Sequence, residues 1–360
     1  MKPKQPTVYD VAQHAGVSIA TVSRVLRGPQ SVRQSTRERV LQSVHTLGYV
    51  PSASARGLAG RRTKVLGLLF PGETQRPAET LAKSTTAAGI EFIDDRGNAS
   101  ASSAGHLYFD ELIQGAEDAA WHAGYALMVA AGRDMSESVA LDDVTGRVDA
   151  LAVLAQTIDD TVLARAARRV PLVVLAGDRP TNADRVNVDN EGGMRLLTQH
   201  VLSVKHPGPI LYLDGPKTSP DANARRAGFL EATSGQETHI VSAEFNESSG
   251  RAITTEFLAH TQPGAIVAAN DQSALGALTA LTAAGISVPG DCVVTGFDGI
   301  DASRYSTPPL TTVRQPMVLL GKTAMETLVN RLQDPDREPR AIELPVDILL
   351  RESCPPTEPT

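Results

Sequence analysis

Thr7-Val-Tyr-Asp-Val-Ala-Gln-His-Ala-Gly-Val-Ser-Ile-Ala-Thr-Val-Ser-Arg-Val-Leu-Arg-Gly28 decides how the first part of this chain folds. Val8, Val11, Ala12 and Ala15 recur three and four residues apart, the spacing of one apolar helix stripe. Ala15-Gly-Val17 then breaks the pattern, and Gly16 supplies the backbone freedom for a tight turn. Ser18 is placed to cap a second helix, whose apolar stripe is Val22, Val25 and Leu26. The other face of that helix presents Ile19, Ala20, Thr21, Ser23 and Arg24. Two short helices about a tight turn are either a plain amphipathic hairpin or a helix-turn-helix, whose second helix enters the DNA major groove.

Charge favours the second reading. Residues 1–64 hold 11 Lys and Arg against two acids, a net of +9. The whole chain is −7, so the 296 residues that follow carry −16. A basic head on an acidic body holds a polyanion at one end and repels it at the other. The recognition face of the second helix also carries no acid that would oppose phosphates.

Working outward, Ser35-Thr-Arg-Glu38 reads as the start of a third helix, Ser35 to Leu47, with Gly48 after it. Val40, Leu41, Val44 and Leu47 would pack it onto the first two. Residues 51–63 follow, rich in small residues. Ser52 to Ala59 is either a plain linker or one to two turns of helix. Isolated helices under ~12 residues are marginal in water, and Gly57 weakens this one by roughly 1 kcal/mol. Such a segment becomes helical only when something holds it.

From Lys64 the pattern changes to short apolar runs alternating with helical segments. Strands are expected at Val65–Phe70, Ala126–Ala131, Ala150–Ala155, Pro171–Ala176, Pro209–Asp214, Thr238–Val241, Ala265–Ala269, Cys292–Phe297 and near Ala341–Leu349. Helices are expected at Leu107–Ala123, Thr161–Arg169, Glu191–Val204, Ala222–Ser234, Ser249–His260, Gln272–Ala284 and Met317–Leu332. This alternation predicts an α/β body of parallel sheets covered by helices on both faces. About ten strands exceed one small sheet, so two lobes are expected, with ligands held at the carboxyl ends of the strands. Residues 73–105, rich in Ala, Ser, Thr and Gly, read as a surface loop or a lid over the cleft.

The three expected domains are therefore residues 1–50, a linker at 51–63 and a body at 64–360. Cys292 and Cys354 are too few and too distant to suggest a disulfide frame or a metal site. The start Met-Lys-Pro-Lys-Gln leads into no apolar segment, so a cytoplasmic protein with no membrane association is expected. Gly321-Lys-Thr323 lacks the Gly that a phosphate-binding loop needs five positions earlier, where Pro316 stands. There is no Gly-x-Ser-x-Gly and no His-Glu-x-x-His. His14, His45, His200 and His206 look solvated or incidental. No enzyme activity and no cofactor are expected.

The order of motifs resembles that of the lactose-repressor (LacI) family of bacterial transcription regulators. Thr7–Leu26 is similar to the family's DNA-reading head. Leu47-Gly-Tyr-Val-Pro51 and Ala55-Arg-Gly-Leu58 resemble its hinge. Asn187-Val-Asp-Asn190, Arg225-Arg-Ala-Gly-Phe229, Ala269-Asn-Asp271, Gly296-Phe-Asp298 and Thr307-Pro-Pro-Leu-Thr-Thr-Val-Arg-Gln315 resemble its sensor body, a two-lobed, periplasmic-binding-protein-like unit. The chain departs from the family at Arg27, Ser52 and Gly57. It departs again in the insertion at 73–105, in His106-Leu-Tyr-Phe109 and in a short segment at 133–148.

The resemblance implies a homodimer that binds a pseudo-palindromic operator and answers to a small effector, a sugar or a nucleoside. Ile19, Ala20 and Arg24 would read bases, in keeping with Arg pairing guanine and small side chains meeting thymine methyls. Thr7, Ser18, Thr21, Ser23, Arg27, Arg33 and Thr36 would hold phosphates. Ser52, Ala55, Arg56 and Leu58 would form the minor-groove hinge, with Leu58 wedging a base step or else packing on the body. Tyr108, Phe109, Arg179, Arg225, Phe245, Asn270, Asp271, Asp298 and Gln315 would line the effector cleft. Arg225 and Asp298 lead, because guanidinium and carboxylate groups suit hydroxyls. Asp271 stands equally well as a helix cap. The alternative reading is a sugar-binding receptor of the solute-binding type with no role in gene control.

Overall fold

A computed structural model describes residues 7–27, 32–47, 63–70, 84–87, 90–93, 104–131, 137–154, 158–177 and 183–356. The chain divides into two compact units, residues 1–63 and 64–360.

The first unit contains α1 (Val8–Ala15), α2 (Ile19–Arg27) and α3 (Gln34–Leu47). Thr7 and Asp10 form a capping box at the start of α1, a Thr-x-x-acid signal that was readable in the sequence. Gly16 ends α1 in the left-handed region, φ 63°, as the turn requires. Ser18 Oγ accepts from the Thr21 amide at 3.2 Å and so caps α2 as expected. Val11, Ala12, Ala15, Val22, Val25 and Val40 make the core. Three details differ from the sequence reading. The third helix starts at Gln34, which puts Ser35 inside the helix, and Gln34 Nε2 instead reaches Glu38 Oε1 at 3.0 Å. Leu41 faces solvent, and Ser43 takes the buried position. His14 is not incidental: its Nδ1 meets Ser43 Oγ at 3.0 Å and ties α1 to α3.

In the second unit two six-stranded sheets share the chain. The first has the order β13-β7-β6-β5-β1-β4, built from β1 (Val65–Phe70), β4 (Ala126–Ala131), β5 (Ala150–Leu154), β6 (Leu172–Leu175), β7 (Asp184–Val188) and β13 (Ala341–Leu344). Every pairing in it is parallel. On one face lie α4 (Ala104–His122) and α12 (Met317–Gln333), and on the other α5 (Glu137–Thr145) and α6 (Asp160–Ala167). The second sheet has the order β14-β12-β11-β10-β8-β9, built from β8 (Ile210–Asp214), β9 (Thr238–Ser242), β10 (Ala265–Ala268), β11 (Val293–Asp298), β12 (Thr311–Arg314) and β14 (Asp347–Leu349). Only β14 runs antiparallel. Helices α7 (Asn190–Val204) and α8 (Pro220–Ala232) cover one face; α9 (Glu247–Leu258) and α10 (Asp271–Ala283) cover the other. A short α11 (Asp301–Tyr305) follows β11.

Several expectations are corrected here. The stretch near Ala341–Leu349 is two strands in different sheets, because Pro345 interrupts the ladder between them. In the expected loop at 73–105, β2 (Ser84–Ala87) and β3 (Ile90–Ile93) pair antiparallel, and α4 begins at Ala104. The rest of that stretch lies outside the described residues. Strands β7 and β12 and helices α5 and α11 were not foreseen.

Among the described residues the chain passes between lobes three times: from β7 into α7, from β12 into α12 and from β13 into β14. The first lobe is therefore completed by residues from the far end of the sequence. Its helix pair packs closely, since a Cβ on Gly321 would collide with the Leu112 carbonyl oxygen. Asp184, fully buried at the start of β7, joins the same ends. It accepts from Arg331 Nε and Nη2 (3.0 Å each), Arg337 Nη2 (3.0 Å) and the Arg340 amide (2.9 Å). Burial opposes its charge, but hydrogen bonds from Arg331, Arg340 and Arg337 outweigh burial and hold the carboxyl below its usual range.

Candidate functional site

In the first unit, the sequence stripe and the caps fix which face of α2 is free. Val22 and Val25 are buried, while Ile19, Ala20 and Arg24 are exposed together. Thr21 and Ser23 are half-buried at the edges of that face. Ser18 is exposed, with its hydroxyl 2.9 Å from that of Thr21. Thr7 Oγ1 lies 2.7 Å from Asp10 Oδ2, so its first duty is to the cap. Arg33 is exposed and Thr36 half-buried at the start of α3. Arg27 is the last residue of α2. Ser52, Ala55, Arg56 and Leu58 lie outside the described residues, as does Arg179.

In the second unit, the parallel strands of the second sheet end together, and the polar residues collect there. Arg225, on the second turn of α8, is buried (3 % exposed). Its Nη1 donates to Asp298 Oδ1 (3.0 Å) and to the Ala269 carbonyl (2.7 Å), and its Nε donates to Asn190 Oδ1 (2.8 Å). The guanidinium lies 3.8 Å from the Phe297 ring centroid and 5.7 Å from that of Phe245. Asp298 ends β11 with a left-handed φ of 116°. Its Oδ1 also accepts from Gln315 Nε2 at 2.8 Å. Burial raises its carboxyl to about 6, against the pull of Arg225 and the Gln315 hydrogen bond. A buried cation, an anion partly open to solvent and an aromatic ring beside them can orient a small polar molecule.

Three expected cleft residues are otherwise engaged. Asp271 is wholly buried. Its Oδ2 accepts from the Gly299 and Ile300 amides (2.9 Å each), and its Oδ1 takes the Thr312 hydroxyl (2.5 Å). It pins the turn that follows Asp298. Nor is it the cap of α10: Asn270 is, accepting from Ser273 N at 3.0 Å while its Nδ2 donates to the Phe245 carbonyl at 3.1 Å. Phe109, half-buried, packs on Phe70 with ring centroids 4.5 Å apart and belongs to the first lobe's core. Tyr108 lies in α4.

Burial, followed by the nearby charge of Asp298, raises the Asp271 carboxyl to about 8. An unfolded chain releases that proton near pH 4, whereas the folded chain keeps it until about pH 8. Stability therefore falls as pH rises across that window and levels off above it. In Asp271→Asn, Oδ1 still accepts from the two amides and Nδ2 donates to Thr312. Its melting temperature is expected to vary less between pH 5 and 8 than that of the parent chain. Thermal unfolding of both proteins across that range checks this, and parallel curves would refute it.

Comparisons with known proteins bear on both units. Residues 7–52 match the model described as bacterial regulatory proteins, lacI family, and residues 198–354 match a periplasmic binding protein-like domain. The HTH-type transcriptional repressor PurR of Photobacterium profundum is 31% identical over 363 residues, covering 96% of this chain and 98% of the relative. The chain belongs to the lacI family. This lacI-family protein is also similar to the lac repressor dimer bound to operator and the anti-inducer ONPF. The TM-score is 0.79 and the identity 26%, covering 98% of this chain and all of that one. A complex of the transcriptional regulator CelR with cellobiose aligns over 97% of this chain and 99% of that one, at 27% identity and a TM-score of 0.66. The protein is a DNA-binding transcriptional regulator, and the relatives named here are regulators rather than enzymes. Among the described residues no helix is long and apolar enough to cross a membrane, and no His, Cys, Asp or Glu cluster is arranged to hold a metal ion.

Sequence reasoning passed over Asn190, Asp221 and Thr312, which complete the regulator's polar site. Asn190 Nδ2 donates to Asp221 Oδ1 at 3.1 Å. Asn190 stands inside Asn187-Val-Asp-Asn190, a motif quoted only for its family likeness. Thr312 likewise stands inside Thr307–Gln315, though its partner Asp271 is 41 residues away, and Asp221 carries no local signal, its partner Asn190 lying 31 residues away.

Proposed function

We propose that this lacI-family protein is a cytoplasmic repressor that binds a pseudo-palindromic operator as a homodimer and is switched by a small sugar or nucleoside. The exposed face Ile19-Ala20-Arg24, free of acids and set on a capped, core-anchored helix, carries this reading. Arg24 reads guanine, and Ile19 and Ala20 meet thymine methyls. Thr7, Ser18, Thr21, Ser23, Arg27, Arg33 and Thr36 hold phosphates and fix register. Ser52, Ala55, Arg56 and Leu58 order on the minor groove when two copies lie side by side. The effector sits at the strand ends against Arg225, Asp298 and Phe245. Tyr108, Arg179 and Gln315 complete the wall.

A second copy fits two exposed apolar features of the sensor unit. Strand β4 is an outer strand of its sheet, reads Ala126-Leu-Met-Val-Ala-Ala131 and leaves Val129 45 % exposed. A groove of about 500 Å³ between α10 and α11 is lined by Leu275, Leu278, Thr282 and the exposed Tyr305.

Selection of random genomic duplexes by the full-length protein at moderate salt tests the reading. Enrichment of an inverted repeat with half-sites roughly 34–36 Å apart is expected. Arg24→Ala is expected to cost about 1–3 kcal/mol at one base pair per half-site and to leave non-specific binding nearly unchanged. No enriched sequence would end the proposal. A thermal-shift screen with sugars and nucleosides identifies the effector.

A further inference from the structure

Four side chains far apart in sequence make one unbroken line of hydrogen bonds across the sensor unit. Asn190 Oδ1 accepts from Arg225 Nε at 2.8 Å, and Arg225 Nη1 donates to Asp298 Oδ1 at 3.0 Å. The same carboxylate oxygen accepts from Gln315 Nε2 at 2.8 Å. The two ends of this line are both residues of connections between lobes. Asn190 opens α7, two residues past the end of β7, and its Nδ2 faces the Val188 carbonyl at 3.4 Å. Gln315 stands between β12 and α12, and its backbone amide donates to the Asp298 carbonyl at 3.1 Å. The middle of the line is the ion pair at the candidate effector site.

We infer that Asn190 and Gln315 are positioning residues that yoke two inter-lobe connections to the Arg225–Asp298 pair, so that a molecule engaging the pair moves both connections together. Asn190, Arg225 and Gln315 are all 6 % exposed or less, so each bond acts in a medium where hydrogen bonds are strong and directional. The guanidinium is rigid and planar and satisfies three acceptors at fixed angles. Pulling Asp298 toward a ligand cannot leave the other two contacts unstretched. The third connection is outside the line. Its nearest ion pair, Arg314–Asp347, has both side chains more than half exposed and contributes little. The purpose of the yoke rests on the effector reading above, but its test uses no ligand, so the two stand or fall separately.

Amide hydrogen exchange on the full-length chain provides that test. Asn190→Ala is expected to speed exchange at Gln315, Met317 and Val318 at least threefold, and Gln315→Ala to do the same at 188–193. The control Asp347→Ala should change neither, and the β10 amides should stay protected in all three. If Asn190→Ala fails to fold, Asn190→Ser and Gln315→Ala carry the measurement. A rise confined to the substituted connection would overturn the yoke, because the two ends would then be independent. A uniform rise that includes β10 would overturn it as well, because that is general loosening.

Discussion

Asp298→Ala should unfold at a temperature roughly 6–10 °C lower than the parent protein. The Arg225 guanidinium would stay buried with its carboxylate gone, and breaking a buried pair from one side costs about 3–5 kcal/mol. At this domain size each kcal/mol moves the midpoint by about 2 °C. Asn190 and the Ala269 carbonyl still accept from Arg225, which places the loss toward the lower end. Removing the charge as well should repair much of the damage. Asp298→Ala with Arg225→Met should melt closer to the parent than Asp298→Ala alone, although the two residues touch and will not add. If the double variant is the less stable of the two, the strain lies in packing and not in an orphaned charge. Both variants should lose effector response, since the groups that would orient the ligand are gone.

Deleting residues 1–60 should abolish sequence-specific DNA binding and leave the rest of the protein standing. Specific complexes are typically 10³–10⁷ times tighter than non-specific ones, so the affinity for a selected operator should fall at least 10³-fold. The truncated chain also loses eight of its 34 Lys and Arg but only two acids, so its net charge moves from −7 to −13. The first unit has its own core of Val11, Ala12, Ala15, Val22, Val25 and Val40, and the second has four clusters that include none of these. The truncated protein should therefore melt at an unchanged temperature and respond to the same effector. Titration of fluorescent operator, together with thermal unfolding, measures both. Operator binding that survives the deletion would remove the first unit from its role as reader.

The first two helices of the head were legible in the sequence because what shapes them is local, whereas the His14–Ser43 contact that ties in α3 spans 29 residues and was missed. A capping residue, a 3.6-residue stripe and one glycine in the left-handed region decide those two helices within twenty residues. The central strands were legible for a related reason. Leu151-Ala-Val-Leu154 and Ile210-Leu-Tyr-Leu213 are continuous apolar runs, as strands buried on both faces must be. Strand β7 escaped because Asp184 and Arg185 open it and Asn187 interrupts it, so no run appears. Its leading acid is buried only because Arg331 and Arg337, about 150 residues later, come back to meet it. The same distance limit governs the site. Arg225 could be picked out as an unusual cation, but its partners lie 35, 44 and 73 residues away. Asp271 shows the cost of judging by residue type, because an acid beside a helix start looks like a cap or a ligand contact. Burial and two backbone amides from the next strand's turn made it a pin instead.

The late arrival of α12 and β13 in the first lobe has a consequence during synthesis. The three-helix head is complete once α3 has left the ribosome, whereas the first lobe must wait for residues 317–344. At about 5–20 residues per second that wait lasts roughly 15–60 seconds. For that time each new molecule is a folded three-helix head attached to a sensor that cannot yet register a ligand. A message cut short before codon 317 would leave the molecule in that condition for good.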